Sequence, residues 1–341
     1  MTTNPFSATG FDLISMTRAI NKVPDAARLI GRTDQLGIFT ARPISTTTFY
    51  VEQLNGVLNL LTSVPRGGVA PKNTTAKRAM RNFSVPHYPL EDVIRPDEIQ
   101  NVRMFGSESD GETAANVMAR KLAEMRMKHE LTREFLRFKA LQGIVYDGDN
   151  TTVLYNFFTE FGLSQYSYSF DTGSSTTDIN AKCRAMLRYM RTKLQGDTMT
   201  GAKAFCSPGF YDALIAHGSV KDAFKYFNTQ QGQNLSADVS GSFIFAGISF
   251  EPVESSTTDP SGNAVKFIAD NEAMLFPLGT NTTFQEVIAP ADFNETANTI
   301  GLPFYAKQEP TQFNRGTIVH TQQNILPICT RPEVLVRLTL S

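Results

Sequence analysis

Tryptophan is absent from the 341 residues, cysteine occurs three times and histidine four times. Each scarcity removes a class of function. Cys183, Cys206 and Cys329 are far apart and odd in number. They make no disulfide framework, and no CxxC pair offers half of a zinc site. They read as small core residues of a chain folded in a reducing cytoplasm. His87, His129, His217 and His320 never fall at HxH or HExxH spacing, and packed or surface imidazoles account for all four. No GxSxG elbow, Walker A loop or GxGxxG occurs. Arg66-Gly67-Gly68 has no strand-loop-helix context, so it reads as a turn and not as a phosphate cradle. The chain has no run of about 18 apolar residues and no basic-then-apolar leader, so neither a membrane span nor a signal peptide is expected. Excess charge is also missing. Lys plus Arg number 32 and Asp plus Glu 33, a net charge of −1, which lacks the basic surplus of a dedicated nucleic-acid binder.

What is present is a globular composition, with 41% hydrophobic and 19% charged residues. That is enough for one large or two ordinary domains. Residues 1–45 read as an arm. A short helix is expected near residues 11–20, and Pro24, Gly31, Gly37 and Pro43 interrupt the remainder of the segment. Too few periodic apolar positions remain for a separate core, so the arm must lie on the rest of the chain or on a neighbour. Residues 46–53 and 57–64 are β-branched or apolar strand candidates, and residues 80–88 form a return strand. Between them lies a turn-rich, basic tip with Arg66, Lys72, Lys77, Arg78 and Arg81. A hairpin this long is poorly stable alone.

Residues 110–142 carry the strongest local signal. Asp110 is a plausible N-cap with Glu112 in the first turn, and Gly143 ends the segment. Within it Met118, Leu122, Met125, Met127, Leu131, Phe135, Phe138 and Leu141 recur at helical spacing, and charged residues fill the other faces. A helix of about 33 residues spans ~50 Å. Heptads are not sustained, which favours a strut packed along one side over a coiled coil.

Beyond it, 153–158 and 165–170 are expected as a hairpin joined near Gly162. Residues 171–341 read as a compact mixed domain. Helices are predicted over 179–194, 208–217 (Ser207 cap, Pro208 first turn) and 219–227. Strands are predicted over 202–206, 243–245, 248–253, 265–269 and from 274. At the C-terminus Val334, Val336, Leu338 and Leu340 alternate against Leu335, Arg337 and Thr339. The carboxylate pairs Asp147/Asp149 and Glu91/Asp92 are explained by turns more simply than by a cation site. The aromatic strip Phe157, Phe158, Phe161, Tyr166, Tyr168 and Phe170 has no interleaved basic patch, so it reads as core and not as a base-stacking platform.

The order of parts is distinctive: arm, long hairpin, one very long helix, hairpin, compact domain ending in a strand. It resembles the HK97-type capsid fold, an α+β architecture. More closely it resembles the lambda-type major capsid protein family, also called the phage E capsid family. Thr47–Gln53, Arg66–Gly68, Pro86–Leu90 and Leu131–Gln142 carry the likeness in the first half. Ala204–Leu214, Ser219–Phe227, Met274–Thr280, Ala289–Asp292, Gln322–Ile328 and Arg331–Val336 carry it in the second.

The resemblance implies an N-arm over 1–45, an extended E-loop region over 46–95, a peripheral domain over 96–170 with a spine helix at 110–142, and an axial domain over 171–341 with closing C-terminal strands. It implies a structural role and not an enzyme: the major head protein of a tailed bacteriophage, without catalytic, metal or cofactor residues. Such a protein is made in the host bacterial cytoplasm and ends in the virion. Copies would form pentamers and hexamers of an icosahedral shell around double-stranded DNA, which they touch weakly and without specificity. Portal, scaffold and decoration proteins are the further partners implied. Arg66, Gly67, Gly68, Lys72, Lys77 and Arg78 would make the E-loop contact between neighbouring copies. Met118, Leu122, Met125, Leu131, Phe135 and Phe138 would form the spine-helix core. An encapsulin-like cellular compartment shares the fold class and is the alternative, with a soluble α/β enzyme behind it.

Overall fold

The computed structural model describes residues 12–22, 32–55, 77–100, 113–174, 176–194, 197–221, 242–254, 256–258 and 261–340. The chain begins with the amphipathic helix α1 (Leu13–Lys22), which buries Met16 and Ile20, four residues apart. A single turn, α2 (Arg32–Gln35), precedes strand β1 (Thr40–Pro43). Strands β2 (Thr48–Asn55) and β3 (Lys77–Ser84) pair antiparallel from Thr48↔Ser84 to Asn55↔Lys77, and β4 (Tyr88–Ile94) comes next.

The long helix α3 (Ala114–Gln142) has 29 residues, a length of roughly 44 Å. It begins at Ala114 and not at 110. Thr113 is its cap and accepts from the Asn116 N–H at 3.2 Å, and no acidic residue occupies its first turn. The expected cap Asp110 and Glu112 lie outside the described residues. Gly143 ends the helix in the left-handed region, φ 83°, where a Cβ would stand 2.3 Å from the Phe158 ring.

Strands β5 (Ile144–Tyr146) and β6 (Val153–Asn156) form a hairpin, and the chain then turns into α4 (Phe157–Glu160). This corrects the strand expected through Phe158. The Asn156 side chain accepts from the N–H groups of Phe158 and Thr159 and starts a helical turn there. Strand β7 (Tyr166–Ser169) therefore does not pair with 153–158 as expected; it runs parallel to the last strand of the chain.

The remaining elements are α5 (Ile179–Leu194), β8 (Gly201–Cys206), α6 (Pro208–Ala216), β9 (Phe243–Phe245), β10 (Ile248–Pro252), β11 (Ser256–Thr258), β12 (Ala264–Lys266), β13 (Glu272–Leu278), β14 (Phe284–Ile288), β15 (Tyr305–Pro310), β16 (Thr317–Gln323), β17 (Ile325–Cys329) and β18 (Val336–Thr339). The helix expected over 219–227 is seen at 218–221, and 222–227 lies outside the described residues.

Six strands form the largest sheet, in the order β7-β18-β13-β8-β10-β9. Its alternation sorts two cores. Ala202, Ala204, Cys206, Ala273, Leu275, Val336 and Leu338 face α5 and α6. Phe205, Met274 and Phe276 face the other way, into a core shared with the C-terminal half of α3. Leu335, expected on the face opposite Val334, is fully buried, because it sits between a 3-10 turn and β18 and joins the core around α3.

Residues 284–329 fall within the span expected for the compact domain, yet they pack along α3. The sheet β1-β14-β17 covers its C-terminal half. The sheet β15-β16-β4, together with α1, closes a third core around Val117, Met118, Leu122 and Met125 in its N-terminal half. The helix is thus the common wall of separate cores.

Candidate assembly elements

Glu286 on β14 is 1% exposed and is gripped by two arginines one helical turn apart on α3. Arg137 donates from Nε and Nη2 to the two carboxylate oxygens at 2.8 Å each. Arg133 donates to the same oxygens at 3.0 and 2.6 Å. Burial alone would raise this carboxyl, but the two guanidiniums hold it down at about 2.

Arg137 also reaches the arm, donating to Thr33 Oγ1 at 3.1 Å and pairing with Asp34 at 2.6 Å. Thr33 in turn donates its N–H and its hydroxyl to Glu134 at 3.0 and 2.8 Å. Burial raises the Glu134 carboxyl against those hydrogen bonds. Arm, helix and β14 therefore meet in one desolvated network, in which each bidentate pair admits a single geometry.

Helix α1 is fastened further along α3. Arg126 donates to the Ile20 carbonyl at 2.5 Å, pairs with Glu130 at 3.1 Å and stacks over Phe304 with its guanidinium 4.6 Å from the ring centre. Asn21 adds a donor to the Phe304 carbonyl at 3.0 Å. The described arm thus lies on its own chain.

The hairpin is held by rings. Phe83 on β3 is 1% exposed and touches Phe49 of β2, Tyr155 of β6, Phe157 of α4 and Phe161, at centroid distances from 5.2 to 6.4 Å. The Tyr155 hydroxyl accepts from the Ser84 N–H at 2.8 Å and donates to the Ser84 carbonyl at 3.0 Å. Arg81 lies over Phe161 and donates to the Glu160 carbonyl. On the opposite face of the hairpin Tyr50 and Met80 are exposed, while Val51 stays buried on the face of Phe49.

The residues expected to matter are placed as follows. Arg66, Gly67, Gly68 and Lys72 lie outside the described residues. Lys77 and Arg78 stand in β3 opposite Asn55 and Leu54. Met118, Leu122, Met125, Phe135 and Phe138 are buried, and Leu131 is partly buried against the core around the C-terminal half of α3. Met127, expected on the same apolar face, is half exposed, while Arg126, His129, Glu130, Glu134, Arg137 and Lys139 are buried. Spacing puts Arg126, Glu130, Glu134, Arg137 and Lys139 on the faces beside the apolar stripe and does not show that they join in a buried network. A usable signal was present in the arginines at 133 and 137, whose spacing puts them on one stripe with Glu130 and Glu134.

The polar groups suspected of chemistry have ordinary partners. Asp149 accepts from the N–H and hydroxyl of both Thr151 and Thr152, which lowers its pKa. His129 meets Thr321 Oγ1 at 2.9 Å, and burial lowers its pKa to about 4. All three cysteines are buried free thiols, and burial pushes Cys183 and Cys329 up to about 12. Among the described residues no cluster of three His, Cys, Asp or Glu side chains is placed to hold a metal, and no helix is long and apolar enough to cross a membrane. Phe157, Phe158, Phe161 and Phe170 are buried and Tyr166 stacks on Tyr189 at 4.1 Å, so the aromatic strip is packing.

The chain as a whole is similar to known proteins. The major capsid protein of Pseudomonas phage KPP10 is 27% identical over 348 aligned residues, covering 98% of this chain and 98% of that protein. The major capsid protein of Salmonella phage Felix O1 is 27% identical over 358 residues, covering 96% and 95%. The crystal structure of a candidate capsid protein from a prophage of E. coli CFT073 superimposes with a TM-score of 0.58 at 12% identity, covering 98% of this chain and 100% of that one. At that identity the likeness concerns the fold, which is α+β and HK97-like. The sequence profile described as phage major capsid protein E matches residues 12–340, and the chain belongs to that family.

Proposed function

We propose that this chain is the major structural subunit of a tailed-bacteriophage head, assembling with copies of itself into hexamers and pentamers of a closed icosahedral shell around double-stranded DNA. The observation that carries the reading is the family match over residues 12–340. The long helix α3 supports it physically. A shell subunit needs a strut that transmits force between neighbours, and α3 is braced on several sides by separate cores and locked to β14 by the Glu286 network. The paired strands β2 and β3 leave the body from an aromatic base, which suits a loop that lies on an adjacent copy through Arg66, Lys72, Lys77 and Arg78. Many such contacts, each weak, give avidity while errors stay reversible.

In this reading the packing suggests a revised partition. Residues 96–170 and 284–329 together build the peripheral domain around the spine helix, and 171–283 with the closing strand β18 build the axial domain. Portal, scaffold and decoration proteins, and assembly in the bacterial cytoplasm, belong to the same proposal. The family match favours a phage head over an encapsulin-like compartment.

Expression of the chain alone, followed by negative-stain microscopy and sedimentation, tests the proposal. Closed particles, or capsomers that close when a scaffold is co-expressed, are expected. A monodisperse small oligomer under both conditions would overturn it. Replacing residues 57–75 with a two-residue Asn-Gly turn closes the hairpin. The product should be a folded subunit that no longer forms shells.

A further inference from the structure

A cavity of about 440 Å³ opens where the last turns of α3 (Lys139) meet the β5–β6 hairpin (Tyr146, Asn150) and the edges of β12, β13 and β18 (Lys266, Glu272, Arg337). Three cations line it. Two are answered within the chain: Lys266 Nζ lies 2.7 Å from Asp270, and Arg337 pairs with Glu272. Lys139 is different. It is 7% exposed, and among the described residues no carboxylate or other acceptor lies within hydrogen-bond reach of its Nζ. Its neighbours are ring faces, those of Phe135 and Tyr146, with centroids 5.3 and 5.2 Å away. Burial is the one influence on its pKa, and it acts downward. On the same wall the Asn150 side-chain oxygen is buried with no donor among the described residues.

An ammonium mostly withdrawn from water and given only aromatic faces within its own chain is a cost to the isolated subunit. Such a cost is retained where a partner supplies the missing anion. We propose that the cavity is an assembly socket that accepts an acidic side chain from a second copy of this chain, the carboxylate pairing with Lys139 and a backbone N–H of the same segment donating to Asn150.

The chemistry of the walls selects this occupant. The surplus over the internal pairs is a single positive charge, which one carboxylate balances. A nucleic-acid backbone or a free polyphosphate would meet Glu272 on the wall and Asp270 beside it. Neither offers the N–H that Asn150 lacks. A peptide segment carries both groups. The inference rests on the shell reading, in which the lateral faces of each subunit lie against other copies.

Two measurements test it. In wild-type shells assembled from equal parts of isotope-labelled and unlabelled subunits, a water-soluble carbodiimide should join Lys139 to an acidic residue. The joined peptides should include mixed-label pairs, and the link should vanish in dissociated subunits. Lys139 should also acylate at least tenfold more slowly in DNA-free shells than in free subunits. In parallel, Lys139→Met should give a free subunit that melts at or above the wild-type temperature, because a desolvated charge is gone. Its shells should fall apart at lower denaturant.

Wild-type shells in which Lys139 reacts as fast as in free subunits, or links only within its own chain, would overturn the socket and leave the shell reading intact. Protection seen only in DNA-filled particles would assign the cavity to phosphate and overturn it as well. Absence of particles from the wild type would sink the shell reading first. The carbodiimide arm uses the native sequence, so misfolding of the methionine variant would not rescue the proposal.

Discussion

Around Glu286, the arm, the spine helix and β14 are joined by charge: one carboxylate, two bidentate guanidiniums and the Thr33–Glu134 pair, all with little water. Around Phe83, the hairpin, β6 and α4 are joined by rings, with Arg81 lying across the rim. A bidentate ion pair is satisfied only when both N–H···O lines are nearly straight, and it weakens steeply as they bend. Contacts between rings are far less directional. The first junction therefore sets the arm rigidly against the strut. The second fixes the inclination of the hairpin less tightly.

The comparison breaks most sharply at Glu286. Glu286→Ala leaves two buried arginines without their anion, and removing one member of a buried pair costs about 3–5 kcal/mol. The loss should be global, because β14 pairs with both β1 and β17, and β17 packs on α3. Denaturant unfolding of the free subunit, followed by circular dichroism because tryptophan is absent, should show a single transition at a much lower midpoint. A variant within about 1 kcal/mol of wild type would mean that the network is solvated and idle.

Acid acts on the polar contacts of α3 and spares the aromatic junction, in two windows: first at His129, which meets Thr321 of β16, then at Glu286 in the charged junction. His129 is held neutral by burial with a folded pKa of about 4 against an ordinary 6.5. The unfolded chain takes its proton first, so stability falls as pH drops from 6.5 to about 4. Glu286 sits at about 2 against 4.5. Its contribution is complete above 4.5 and is lost as pH falls toward 2. Each step is about 3 kcal/mol. His129→Gln should flatten the upper window and leave the lower. An unchanged upper slope in that variant would remove His129 from the account.

At the aromatic base, Phe83→Ala costs about 3 kcal/mol, but locally. Hydrogen exchange should speed up for the amides of β2 and β3, while those of α3 keep their protection. If α3 loosens equally, the hairpin is part of the core and not an appendage.

Legibility of these parts in the sequence followed their material. The long helix, the stop at Gly143, the Ser207–Pro208 start of α6 and the strand expected over 202–206 could be read, because propensity and apolar spacing act locally there. The order of elements carried the family likeness. What escaped depends on contacts distant in sequence. Glu286 meets Arg137 across 149 positions, and nothing near either residue distinguishes a buried charge from a solvated one. Likewise Asn156 looks like any polar residue in an apolar run until its side chain is seen starting α4. The parallel pairing of β7 with β18 spans most of the second half of the chain and leaves no local trace.

Met127 is where the sequence pattern and the structure part most instructively, with the smallest expected effect. Spacing placed it on the buried stripe after Met125, but at this level of α3 the stripe is carried by polar residues. Arg126, His129 and Glu130 turn inward to hold α1 and β16, and Met127 is left 50% exposed. Met127→Ala should therefore change subunit stability by no more than about 0.5 kcal/mol. Leu122→Ala, one turn earlier on the true stripe and 4% exposed, should cost about 2–5 kcal/mol. Measured side by side in the same denaturant titration, the pair asks whether the helix presents charge or hydrocarbon to its core at mid-length. Equal losses would turn the helix by about a third of a revolution from its described orientation and would take the Arg126 contact to Ile20 with it.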